Sequence, residues 1–244
     1  MHSLIEQQPA WLLHSRPFRD TSLLLDFITP GHGRLSAIAR GARGAKSRTR
    51  ALLQPFRPLF LSASGRSELL SLRTIEPRGP ALPLQGERLF SGLYLNELLV
   101  RLLQGHESDR ALFELYDTTL LALASDMALE ALLRQFELRL LDLLGYGLQF
   151  MHEADSAVAL EPEAWYYLRA DSGFVRQQAL GDTAALQMCY PGHELLRIAE
   201  TDFSRDSTRH YAKRLLRQAL QLHLAERPLA SRQLFRQSKR RNPD

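Results

Sequence analysis

This 244-residue chain has little cysteine, little lysine and no long apolar run. The single cysteine, Cys189, excludes an internal disulfide and any multi-cysteine zinc site, and it fits a reducing compartment. No run approaches the roughly 18 apolar residues a membrane helix needs, and the start "MHSLIEQQPAW" lacks the basic-then-apolar order of a signal peptide. A cytoplasmic protein is therefore expected. At 45% hydrophobic residues, the chain can bury one large core or several small ones.

Only 3 of the 31 basic residues are lysine; the rest are arginine, whose planar fork holds phosphate bidentately. Net charge is +4, but the charge is segregated. Residues 1–80 carry 12 basic against 5 acidic residues, residues 81–208 carry 9 against 20, and residues 209–244 carry 10 against 2. A bias toward arginine codons can explain the Arg:Lys ratio. It cannot explain two basic ends around an acidic middle.

Residues 10–76 read as five short strands, "AWLLH", "SLLLDFI", "RLSAIA", "PLFLSA" and "ELLSLRTIE", separated by turn signals. "SRPFRDT" reads as a loop, and "TPGHG" as a hairpin turn whose glycines supply positive φ. Five strands in this length suit a small barrel such as the OB-fold better than a seven-stranded sandwich. After the proline-rich "EPRGPALPL" the apolar period becomes helical in "GERLFSGLYLNELLVRLLQ", "RALFELYDTTLLALA" and "MALEALLRQFELRLLDLLGYG". Short β-like pieces follow, then helical pattern returns in "PGHELLRIAETDF" and "DSTRHYAKRLLRQALQLHLAE", with Asp206 or Ser207 expected as cap. The expected class is α+β and multidomain. Residues 1–80 form an OB-fold barrel; 81–236 form a mainly α-helical domain with a mixed insert near 150–190; 237–244 form a flexible basic tail.

Catalytic signatures fail one by one. A phosphate-binding Walker loop needs a glycine where Ala39 stands and a lysine directly after Gly44, where Ala45 stands. The pairs His106-Glu107, His152-Glu153 and His193-Glu194 lack the second histidine of a zinc-protease helix, having Arg110, Ser156 and Arg197 there. No serine lies in a G-x-S-x-G elbow, and nothing around Cys189 marks a nucleophile. No enzyme and no cofactor are expected.

The basic stretch "ARGARGAKSRTR" is what remains. Arginines set against phosphates release counterions and bind nucleic acid without reading its sequence, so Arg34, Arg40, Arg43, Lys46, Arg48 and Arg50 are candidate phosphate contacts. A merely solvated loop is the alternative. Small residues that let the backbone approach phosphates, and a position between barrel strands, favour binding. Among the aromatic residues Trp11, Phe18, Phe27, Phe56 and Phe60, burial is expected of Phe27 and Phe60, whereas Phe18 is the candidate for base stacking.

The order "HSRPFRDTSLLLDFITPGHGRLSAIARGARGAKSR", "ALLQPFRPLFLS", "SGLYLNELL", "LLRQFELRLLDLLGYG" and "RPLASRQLFRQ" resembles the RecO family of bacterial recombination and repair mediators. The resemblance spans nearly all of the chain outside residues 150–190 and the tail. It implies an OB-fold, a helical C-terminal domain and no catalytic residues. It also implies binding of single- and double-stranded DNA, strand annealing, and action with RecR to load RecA on DNA coated by single-stranded-DNA-binding protein. By motif position it puts DNA binding on Arg40 to Arg50 with Arg34 nearby. It also makes Arg134 look like a docking residue for the acidic, Phe-ending tail of the single-stranded-DNA-binding protein. Some relatives carry a four-cysteine zinc site after "LGYG"; this chain has only Cys189, so packing must hold that segment. Lys213, Arg214, Arg217, Arg232, Arg236, Lys239, Arg240 and Arg241 either extend the DNA path or solvate the last helix and tail. The rival reading is an adaptor whose basic face docks acidic protein tails.

Overall fold

The computed structural model describes residues 3–44, 47–103, 110–156, 158–170, 172–178, 188–224, 229–231 and 233–235. Strands β1 (Ser3–Phe18), β2 (Ser22–Thr29), β3 (Gly33–Ala39), β4 (Leu59–Gly65) and β5 (Leu69–Pro77) close into a barrel in the order β1-β2-β3-β5-β4, with β4 returning to β1. A short helix, α1 (Arg48–Leu52), lies between β3 and β4. All strand pairs are antiparallel except β3 with β5, a parallel seam from Ser36 to Ile38. Strict alternation along β3 places Gly33, Leu35, Ala37 and Ala39 inside, where they meet Leu12, Phe27, Leu59, Leu61 and Leu70. The same alternation turns Phe60 outward between Leu59 and Leu61, leaving it 37% exposed, so its expected burial is corrected.

Strand β1 is longer than its apolar core suggests. Register shifts between Ile5 and Gln8 and between Leu12 and His14 let it bend around the barrel, and "SRPF" pairs with β2 rather than looping out. The second shift falls at the end of four consecutive buried residues, Ala10 to Leu13, which a flat strand facing water on one side does not show. Helices α2 (Gly86–Leu102) and α3 (Arg110–Leu123) cover that outer face. Asn96 of α2 donates from Nδ2 to the carbonyls of Leu12 (3.4 Å) and Leu13 (3.1 Å), and Tyr116 of α3 donates to Asn96 Oδ1. Burial, with Asp117 adjacent, pushes the Tyr116 phenol far up, so it stays a donor. Trp11 packs edge-on to Tyr116 at 6.3 Å and donates its indole N–H to Asp117 at 2.7 Å.

The chain divides into two compact units: Met1–Met127 with Arg227–Asp244, and Ala128–Glu226. In the first, the proline-rich connection runs back along the barrel, Arg78 N–H donating to Pro58 O and Leu82 N–H to Phe56 O. Phe56 is buried against α2 where Gly92 has no side chain; a Cβ there would stand 2.7 Å from the ring. The C-terminal segment also docks on α2. Glu97 accepts hydrogen bonds from Ala230 N–H (2.9 Å), Ser231 N–H (2.8 Å) and Ser231 Oγ (2.7 Å), Leu229 is buried, and Phe235 meets Phe90 edge-on.

Partial burial opposes the Glu97 charge, but the Ser231 and Ala230 hydrogen bonds, with Arg101 alongside, outweigh it and hold the carboxyl below its ordinary range. A depressed folded value stabilises the clasp above about pH 4.3, and this stabilisation is lost as pH falls through that lower value. Hydrogen exchange at the Ala230 and Ser231 amides, corrected for intrinsic rates, is expected to accelerate as pH falls through the lowered Glu97 value. Glu97→Gln is expected to raise it about tenfold at neutral pH, the worth of a charge-assisted bond. Exchange at these amides that ignores both changes would mean that Glu97 does not hold the segment.

In the second unit, helix α4 (Leu129–Leu143) ends where the sequence indicates, with Gly145 at φ +79° and Tyr146 N–H donating to Leu141 O. Strands β6 (Trp165–Arg169), β7 (Gly173–Arg176) and β8 (Tyr190–Pro191) form a small sheet in the order β7-β6-β8, and helices α5 (Gly192–Ala199) and α6 (Asp206–His223) follow. The cap of α6 is Arg205, with no side-chain cap bond, rather than Asp206 or Ser207. Tyr166, Phe174 and Tyr190 are fully buried in the mixed segment. Arg176 adds a knot to this packing: it reaches Glu153 and Glu161, each at 2.7 Å, with its guanidinium 5.9 Å from the Tyr166 ring centre. Among the described residues no helix is long and apolar enough to cross a membrane.

Candidate nucleic-acid interface

The basic stretch is a built element of the barrel. Ala42 and Leu53 are buried in the barrel core and pin it at both ends. Gly41 turns the chain at φ +67°, a conformation a side chain would resist, and Gly44 N–H donates to Gly41 O and Ser47 N–H to Gly44 O. Ser47 then caps α1, its Oγ accepting from Arg50 N–H. Sequence pattern does not reveal this five-residue helix, because its only apolar residues, Ala51 and Leu52, give no period to detect.

With Ala39 and Ala42 turned in, Arg40, Arg43, Arg48 and Arg50 are all exposed, and among the described residues none is in an ion pair. Lys46 lies outside the described residues. Arg43 also braces its neighbours. Its backbone N–H donates to Thr21 O at 3.0 Å, and its Nη1 to Arg19 O at 3.0 Å and Asp20 O at 2.9 Å. These bonds fasten the turn between β1 and β2 to the basic stretch.

Arg34 is placed differently. Its Nη1 donates to Val100 O (2.8 Å) and Leu103 O (3.0 Å), capping the free carbonyls at the end of α2, and its Nη2 pairs with the buried Asp26 at 3.0 Å. Ser36 Oγ donates to the same Asp26 oxygen. The carbonyl partners lie 66 and 69 residues away, so no local pattern could reveal them.

Arg134 on α4 is only 7% exposed, neither a solvated helix residue nor an open cation. Its Nη2 donates to Glu137 Oε1 at 2.7 Å, and among the described residues its Nε has no hydrogen-bond partner. Of the C-terminal cluster, Lys213 approaches Glu130 at 3.4 Å, Arg214 donates to Cys189 O and stacks 4.3 Å from the Tyr190 ring centre, and Arg217 is exposed. Arg232, Arg236, Lys239, Arg240 and Arg241 lie outside the described residues.

Comparison with known proteins agrees with this architecture. Residues 1–81 match the family model described as Recombination protein O N terminal, and residues 83–233 match Recombination protein O C terminal. The chain is 45% identical over 231 residues to the DNA repair protein RecO of Cellvibrio japonicus, covering 95% of this chain and 97% of that one. It is 45% identical over 228 residues to that of Tolumonas auensis, covering 93% of each, and 43% identical over 236 residues to that of Serratia proteamaculans, covering 96% of this chain and 95% of that one. A closed five-stranded OB-type barrel followed by a helical region, matched by both family models along nearly its whole length, identifies the chain as a member of the RecO family of DNA repair proteins.

Proposed function

We propose that the chain is a DNA-binding and strand-annealing mediator of recombinational repair that works by charge neutralisation rather than catalysis. The observation that carries this reading is the set of exposed arginines, Arg40, Arg43, Arg48 and Arg50, carried on a stretch pinned to the barrel and free of ion pairs among the described residues. With Lys46 they form a phosphate clamp that lets two polyanionic strands approach. Arg34, bound to Asp26 and the end of α2, ties down β3, the strand that leads into the basic stretch.

In the same reading RecR and single-stranded-DNA-binding protein are the protein partners, and the product is DNA on which RecA can load. Arg134 enters with a condition. Its guanidinium is buried against Glu137, so a partner carboxylate reaches it by taking the place of Glu137. The nucleoid of the cytoplasm is the corresponding location.

Annealing of complementary oligonucleotides, bare and coated with single-stranded-DNA-binding protein, tests the reading. Acceleration without nucleotide, falling steeply as salt rises, is expected. Annealing no faster than the spontaneous rate in both conditions would overturn it. The adaptor alternative predicts that an acidic, Phe-ending peptide displaces all bound DNA.

A further inference from the structure

Binding of phosphates alone does not distinguish single from double strands; ring faces do, because only unpaired bases can stack on a side chain. The barrel's aromatic residues can be sorted by burial. Trp11, Phe27 and Phe56 are 1%, 0% and 3% exposed, and the Trp11 indole is already bonded to Asp117. Phe60 is exposed on β4, but its register partners are Pro9 and Glu76, and an acid beside it disfavours a phosphate chain. Phe18 remains. It ends β1 half-buried, opposite Ser22, with the exposed Arg16 two residues before it on the same side of the strand.

Two contacts prepare this ring. Arg19, at φ +52°, folds its guanidinium to 5.3 Å from the Phe18 ring centre, a cation over a π face. Arg43 holds the turn through Arg19 O, Asp20 O and Thr21 O, so the turn that directly follows Phe18 is fastened to the basic stretch. The result is an aromatic face joined through Arg43 to exposed arginines that, among the described residues, make no ion pair, which neither feature implies alone.

Building on the nucleic-acid reading above, we propose that Phe18 is a base-stacking platform that makes this interface favour single strands. Arg16 and Arg19 take the flanking phosphates, and Arg43 acts as a positioning residue that fastens platform to clamp.

The full chain is titrated with oligothymidylate and with a duplex of equal length. Phe18→Ala is expected to weaken oligothymidylate binding about tenfold, the worth of one stacked base, while duplex affinity and the salt slope hold. Phe18→Tyr retains the affinity. In Phe18→Trp the added fluorescence, measured against the parent with its two native tryptophans, is quenched by oligothymidylate. Arg43→Met, which cannot donate to the carbonyls of Arg19 and Asp20, loses the single-strand preference and lowers the salt slope by less than about one unit. Unquenched emission from the Phe18→Trp variant, or a Phe18→Ala loss equal on single strand and duplex, overturns the platform. A parent chain that binds neither DNA overturns the function itself; salt-dependent binding with no Phe18 effect overturns only the platform.

Discussion

Replacing Arg40, Lys46, Arg48 and Arg50 by glutamine lowers the salt slope of single-strand binding by about three units and the affinity on the order of a hundredfold near physiological salt. The slope matters more than the affinity. Each cation set against a single-strand phosphate releases about 0.7 of a counterion, so the slope counts contacts, whereas affinity also responds to misfolding. Arg43 is left in place because its bonds to Arg19 O and Asp20 O serve the neighbouring turn. The side chains of Arg40 and Arg48 are exposed, and among the described residues the Arg50 side chain makes only a long 3.5 Å contact to Arg43 O, so these three substitutions cost the fold little. Equilibrium anisotropy across a salt series is the measurement. An unchanged slope would remove the basic stretch from the interface.

The second large effect lies in the other unit. Arg134→Ala removes the cation from a carboxylate that is 2% exposed, and breaking such a buried pair costs about 3–5 kcal/mol. Loss of partner binding in that variant therefore says nothing about docking. The informative change is the pair Arg134→Met with Glu137→Leu, which removes both charges at similar volume and is expected to restore urea stability to within about 1–2 kcal/mol of the parent or better. If the double variant is stable and still binds an acidic, Phe-ending peptide as the parent does, Arg134 is structural only. If Arg134→Ala unfolds at the parent's urea midpoint, the buried pair does not form in solution.

Local chemistry made much of this fold legible. The hairpin at Thr29–Gly33 was readable because its glycines announce a turn, and Gly33 does take φ +55°. Helices α2 to α4 were readable because apolar residues recur at helical spacing. The full length of β1 was not, because two register shifts break the alternation that marks a strand. Nor was the attachment of α2 and α3 to the barrel, which rests on Asn96, Tyr116 and Asp117 reaching residues 83 or more positions away or meeting across helices. The basic stretch was visible as charge; that Ala42 and Leu53 pin it, and that Arg34 faces away to serve α2, depends on partners no window of sequence contains.

The closure of β4 onto β1 bears on how this unit can recognise anything. An open sheet offers a row of unpaired amides and carbonyls along its rim, and partners commonly bind by adding a strand there. A closed barrel uses those groups to pair with itself. Main-chain augmentation is therefore restricted to the ends of the short β3–β5 seam, where pairing runs only from Ser36 to Ile38, and edge-to-edge aggregation with a second copy is restricted likewise. What the barrel presents outward is side chains and turns, and Phe18 or Arg40 can be substituted there without reopening the hydrogen-bonded ladder beneath.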